Sequence, residues 1–196
     1  MTQSMPIEAH AVLDESIREG VPGFYVLAAT IVGDDQAVGL REALRGLVPR
    51  PSARFHWHEE RQAKRLAMCD LLVAHNVRHV VAVASPLDPQ RQERARRLCL
   101  TAIAWELHER GVHRLQLESR NNRDADDRRF LLGEQRVDRV PAALQYEFGR
   151  PRQEPLLWAP DAVAGAVATA VGTGDLTYLR TLGETVYVHR LPGPPP

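Results

Sequence analysis

Apolar and polar residues alternate at the start of the chain, then run together, then recur every three or four positions. Residues 7–14 alternate, with Ile7, Ala9, Ala11 and Leu13 on one face and Glu8, His10, Val12 and Asp14 on the other, the two-residue period of a β-strand. The connector ESIREGVPG carries the turn formers Gly20, Pro22 and Gly23. It leads to Phe24–Val32, FYVLAATIV, which is apolar on both faces as a strand buried on both sides would be. The two segments predict an antiparallel hairpin.

Beyond the hairpin the period lengthens. Asp34 and Asp35 are placed to cap a helix with the stripe Ala37, Leu40, Leu44 and Leu47, ended by Pro49 and Pro51. RFHWH reads as a short strand or extended entry to a helix over 59–75, with Leu66, Cys69, Leu72 and Val73 inward. A buried strand is expected over 79–85. A long helix from Asp88 and Pro89 to about Arg110 follows, its buried side formed by Ala95, Leu98, Ala102 and Trp105, and Gly111 closes it. A strand over 113–119 turns Leu115 and Leu117 one way and Gln116 and Glu118 the other. A polar loop then runs into a short helix near 130–132, followed by a strand over 142–148. The Ala/Val-rich segment WAPDAVAGAVATAVG predicts a helix with Pro160 near its first turn. A short helix over 176–182 and a strand over 185–190 end the pattern. A hairpin followed by alternating strands and helices implies one α/β domain over 7–190, a mixed sheet flanked by helices, with flexible ends at 1–6 and 191–196.

Composition adds little to this picture and removes several alternatives. The 196 residues suit one domain with a core that needs no disulfide or structural metal. With 25 basic and 25 acidic residues the net charge is zero, so whole-molecule charge predicts no binding to polyanions. Lys64 is the only lysine; arginine suits bidentate contact with phosphate, but GC-rich coding produces the same bias. Cys69 and Cys99 belong to no CxxC pair and read as buried thiols in a reducing compartment. MTQSMPIEAH has neither the basic nor the apolar region of a signal peptide, and no uncharged apolar run reaches about 18–20 residues. A cytoplasmic protein with no membrane partner is the expectation. No G-x-S-x-G, Walker A or G-x-G-x-x-G motif occurs, against serine hydrolase, NTPase and dinucleotide chemistry.

The acids are the candidate chemistry. Asp14 stands at the predicted end of the first strand, Glu118 near the end of the strand over 113–119, and Asp161 in the first turn of the Ala/Val helix. Carboxylates brought from distant segments to strand ends and helix starts suit Mg²⁺ or Mn²⁺, which prefer hard oxygen ligands, and two such ions support phosphodiester cleavage. Each acid has a plainer role open to it: Asp14 as a turn residue, Glu118 as a solvated strand acid, and Asp161 as a complement to the helix dipole.

LDES after an alternating strand, the buried second strand, the FHWHEE entry and the late PLLWAPDAVAGAV resemble a bacterial family, domain of unknown function 3800. That family usually carries Asp-Glu-Ser-Gly early and roughly Leu-Gln-x-Ala-Asp-x-x-Ala-Gly late. The resemblance spans Ala9 to Thr173 and implies a ribonuclease H-like fold, with Mg²⁺ or Mn²⁺ held by carboxylates of the first strand, a later strand and a final helix. It implies Asp14 and Asp161 as first-strand and final-helix ligands. Glu118 is the middle ligand by position only, and Glu15, Glu59 and Asp124 compete for a fourth role. Ile17 replaces the usual glycine, and Trp158 and Pro160 replace Gln and Ala, changes compatible with an intact or a degenerate site.

Three readings follow. The first is a metal-dependent nuclease or phosphodiesterase acting on nucleic acid. The second is a non-catalytic module of the same fold that binds nucleic acid or a protein. The third is a zinc hydrolase using His56 and His58, whose H-x-H spacing puts both on one side of a strand, with Glu59 activating water; nothing nearby supplies a third nitrogen or sulfur ligand. Both histidines are alternatively substrate-orienting groups beside the acids. Between Arg114 and Arg139 lie seven arginines and six acids. They form either a solvated charged face or a phosphate-contacting edge including Arg120 and Arg123. RQERARR, residues 91–97, reads as an exposed helical face.

Overall fold

The computed structural model describes residues 8–20, 23–48 and 54–193. Six strands form one mixed sheet in the order β5-β4-β1-β2-β3-β6. The strands are β1 (Ala9–Arg18), β2 (Phe24–Gly33), β3 (Arg78–Ser85), β4 (Arg114–Glu118), β5 (Gln145–Gly149) and β6 (Val186–Pro192). β1 and β2 form the expected antiparallel hairpin and β3 is antiparallel to β2. β4 runs parallel to β1, β5 to β4, and β6 to β3. The helices are α1 (Ala37–Gly46), α2 (Gln62–Ala74), α3 (Gln92–Glu109), α4 (Asp124–Arg136), α5 (Trp158–Thr173) and α6 (Thr177–Leu182).

The strand alternation separates two cores. Val12, Val26 and Ala28 point toward α1, α2, α5 and α6, where they meet Leu40, Leu72, Ala162 and Val163. Ala11, Leu13, Leu27 and Ala29 point the other way, onto Cys99, Leu100, Ile103 and Leu107 of α3 and Leu131 of α4. α5 lies directly on β1 and β2. Its small side chains allow that approach, and every residue from Trp158 to Val167 is buried. Pro155–Thr173 is 19 residues long with mean hydropathy 1.3, apolar enough to cross a bilayer, and is 67% buried inside the protein as a core helix. Both cysteines are free and buried, and burial pushes each thiol up to about 12.

Several sequence expectations are corrected. β1 does not end at Asp14: it continues to Arg18, because Glu15, Ser16 and Ile17 pair with Leu27, Val26 and Tyr25 along the hairpin. RFHWH is an extended entry rather than a strand: His56 is extended, Trp57–Glu59 forms a turn of 3₁₀-helix and α2 begins only at Gln62. Val73 lies exposed on α2. On α3, Ala95 is buried as expected, but Leu98 and Trp105 are exposed, and the buried stripe runs on through Arg96, Cys99, Leu100, Ile103, Ala104 and Leu107. Arginine at the head of that stripe hid the true phase. α4 spans 13 residues rather than one turn, with Asp124, Asp126 and Asp127 in its first turn and Arg136 in its last, a charge order that complements the helix dipole. β5 begins at Gln145, later than the alternation suggested. Leu191 and Pro192 are not a flexible end but part of β6, opposite Ala84 and Ser85. The predicted ends 1–6 and 194–196, together with Ile7, Pro22, Pro49 and Pro51, lie outside the described residues.

Candidate active site

Register brings the first two acids together. Val12 and Leu13 of β1 lie beside Gln116 and Leu117 of β4. One step further along the parallel pair puts Asp14 beside Glu118. Leu117 and Leu13 share the α3 core, so by the two-residue period Asp14 and Glu118 face α5 together. β4 ends at Glu118 and turns toward α4, while β1 runs on to Arg18 beside β2. The two strands part at this point, and a crevice opens at the carboxyl end of β4.

α5 supplies the third acid. Asp161, 8% exposed, accepts the Trp57 backbone N–H at 2.9 Å and lies 3.4 Å from His56 Nδ1. Asp14, Glu118 and Asp161 line one cavity of about 160 Å³ with Glu15, Arg54, Phe55, His56, His58, Pro151, Leu157 and Trp158. Burial, then the charges of Glu118 and Asp161 and a hydrogen bond to Glu118, hold the Asp14 carboxyl well above the usual carboxylate range. Glu118 is also raised, by burial foremost and by Asp161, with Arg54 and His56 opposing. His56 is raised chiefly by its hydrogen bond to Asp161.

The donor set fits a hard divalent cation in type: three carboxylates from three elements face one polar cavity. Among the described residues, however, no three histidine, cysteine, aspartate or glutamate side chains already stand in a metal-holding array. Asp14 Oδ1 accepts the Glu15 N–H and Asp161 Oδ2 the Trp57 N–H, so these oxygens stand in other contacts.

The remaining candidates separate. Glu15 lines the cavity, but its Oε2 accepts from Tyr25 Oη at 2.5 Å and from Arg96 Nη1. Glu59 is exposed and outside the residues lining the cavity. Asp124 begins α4 and accepts from Ser119 Oγ at 2.6 Å and the Arg120 N–H at 2.7 Å, bonds that tie the β4–α4 turn together. Arg120 and Arg123 do not reach this cavity. Arg120 is held by Glu93 and Asp127 and lines a smaller adjoining recess of about 80 Å³ that Asp14, Glu15 and Glu118 also line, while Arg123 pairs with Glu93. Nor do their neighbours converge on a phosphate edge. Arg114 pairs with Asp34, Arg129 with Asp126 and Arg139 with Glu134, and Arg128 stacks on Phe148. His56 and His58 do line the cavity, their rings 5.9 Å apart and steeply inclined rather than parallel.

Sequence reasoning missed Arg96. It lies 2% exposed among RQERARR, donates to both Asp127 oxygens and to Glu15, and also contacts Tyr25 Oη at 3.2 Å. Burial lowers its pKa, and Asp127 opposes that shift. Its i+3 and i+4 neighbours Cys99 and Leu100 are apolar, the one pattern that could have marked it as inward.

Gly165 explains part of the late motif. A Cβ there would overlap the Trp57 indole, and Trp57 is the residue whose N–H meets Asp161. Gly165→Ala is expected to destabilise the protein by about 1–3 kcal/mol, the usual range for overpacking a core. Urea denaturation measures it; an unchanged midpoint would mean the indole moves aside freely.

No family model and no curated protein sequence matches the chain. Among solved structures the chain is similar to ribonuclease HII in the PCNA:RNase HII complex from Archaeoglobus fulgidus. The TM-score is 0.51 at 17% identity, covering 86% of this chain and 79% of that one. The fold is ribonuclease H-like: a mixed six-stranded sheet flanked by helices.

Proposed function

We propose that the protein is a nuclease or phosphodiesterase dependent on Mg²⁺ or Mn²⁺ and acting on nucleic acid. The observation that carries this reading is the meeting of Asp14, Glu118 and Asp161, distant in sequence, on one cavity at the end of the β1–β4 pair. The similarity to a ribonuclease HII fold supports it, as does the resemblance of LDES and the Asp161 segment to the domain of unknown function 3800 family. Asp14, Glu118 and Asp161 would hold the cation, which when bound would supply Lewis-acid stabilisation of the scissile phosphate. Glu15, tied to Arg96 and Tyr25, braces the end of β1 beside Asp14. His56 keeps Asp161 oriented.

The test is thermal. A cation bound only by the folded state stabilises it by mass action, about 2.7 kcal/mol at a concentration 100 times its Kd. Mg²⁺ or Mn²⁺ is expected to raise the melting temperature of the wild type and to leave Asp14→Asn unmoved. Equal responses in both proteins would defeat the site. Cleavage of mixed DNA and RNA under either metal then separates an enzyme from the alternative, a non-catalytic module that binds nucleic acid or a protein. A zinc hydrolase on His56 and His58 has less support, since among the described residues no third histidine or cysteine joins them at the cavity.

A further inference from the structure

Resting on the nuclease reading, we propose that Arg54 is the substrate-positioning residue of this site, its guanidinium taking a backbone phosphate of a nucleic-acid strand at the mouth of the acidic cavity. A cavity lined by Asp14, Glu118 and Asp161, and by Glu15 already paired with Arg96, repels a polyanion unless a cation on its rim offsets the acids. Most basic side chains near the strand ends are committed elsewhere. Arg96 is bound by Asp127 and Glu15, Arg120 by Glu93 and Asp127, and Arg123 by Glu93. Lys64 pairs with Glu60, and Arg65 donates to the Trp57 carbonyl while lying over its ring. Arg54 is different. It lines the cavity itself, its side chain is 37% exposed, and its ion-pair partner Glu118 stands 4.0 Å away, beyond hydrogen-bond reach.

A guanidinium in that position keeps its donors for a bidentate grip on phosphate oxygens. Its backbone is anchored, because the next residue, Phe55, is buried in the core. The head group is therefore presented at the rim from a fixed base. The cavity volume of about 160 Å³ is about five times a water's share of liquid volume, room for a phosphate group rather than a base pair. Recognition here is of the strand's backbone, not of base sequence. Exposed His58 stands on the same rim.

Salt-dependent binding of a fluorescent oligonucleotide, with Ca²⁺ in place of Mg²⁺, reads this contact directly. Each phosphate contact contributes about 0.7–0.9 to the slope of log affinity against log salt, so Arg54→Ala is expected to reduce the slope by about that amount. In steady state, KM is expected to rise about tenfold or more, the value of a charged hydrogen bond, with kcat changed far less, the mark of lost uniform binding. Arg54→Lys keeps the charge and is expected to recover the slope but only part of the KM. Arg123→Ala, away from the cavity, is expected to alter neither. If the wild type binds and Arg54→Ala shows an unchanged slope and KM, the assignment of Arg54 is overturned while the nuclease reading stands. A wild type that neither binds nor cuts nucleic acid under any of these metals overturns both. Binding without cleavage removes the catalytic reading alone, and the salt slope of Arg54→Ala still decides this assignment.

Discussion

Asp14→Asn is expected to reduce metal-dependent cleavage by at least about 10³-fold and, without metal at neutral pH, to raise the melting temperature. The first effect follows from removing one member of a preorganised charge cluster, where a single lost electrostatic contact already costs about 10²–10³ in rate. The second follows from crowding. Burial and the charges of Glu118 and Asp161 raise the Asp14 carboxyl above its usual value of 3.8, and burial with Asp161 raises Glu118 above 4.5. Between those ordinary values and the raised ones, the folded protein keeps protons that the unfolded chain releases. Stability of the metal-free protein therefore falls as pH rises through that window. The amide introduced by Asp14→Asn carries no charge to repel, and its oxygen can still accept the Glu15 N–H that Asp14 Oδ1 accepts at 2.7 Å. A gain of a few degrees is expected, since about 1 kcal/mol corresponds to about 2–4 °C in a chain of this size. Melting curves from pH 4 to 8, wild type beside variant, read it. A wild-type melting temperature that climbs across that window while the variant's stays level would show that the acids do not repel one another.

Arg96→Met is expected to be strongly destabilising, costing about 3–5 kcal/mol, because it strips the buried Asp127 of its bidentate partner and Glu15 of its ion pair. Asp127, 3% exposed, would lose its bidentate partner at 2.8–3.2 Å, and Glu15 would keep only Tyr25. Arg120 Nη2, 2.8 Å from Asp127 Oδ1, limits the loss without replacing the pair. Arg96→Met combined with Asp127→Leu is expected to regain much of the stability, since apolar replacement of a whole buried ion pair is often neutral. Urea titrations of the single and double variants decide the point. A single-variant cost below about 1 kcal/mol, the value of an exposed ion pair, would mean that water reaches the network.

Much of the candidate site's placement was legible along the chain. The alternation through β1 and β4 assigned Asp14 and Glu118 to faces correctly, because a strand's side chains switch sides at every residue whatever it pairs with. Asp161 was legible as a first-turn acid of an apolar helix for a similarly local reason. The partnerships were not legible. Asp14 appeared to end a strand because charged residues follow it, but the hairpin satisfies the backbone of Glu15 to Arg18 and Arg96 neutralises Glu15. Arg120 and Arg123 looked available for phosphate, and their carboxylates come from Glu93 and Asp127 on two helices.

Periodicity is a property of neighbouring residues, so the chain alone specified the strands, most of the helices and the faces on which its acids stand. Charge pairing is decided by distance in space. Glu15 and Arg96 lie 81 residues apart, and Trp57 and Asp161 lie 104 apart. Only packing α3 and α4 on one side of the sheet and α5 on the other determined which charges cancel and which three acids are left facing one cavity.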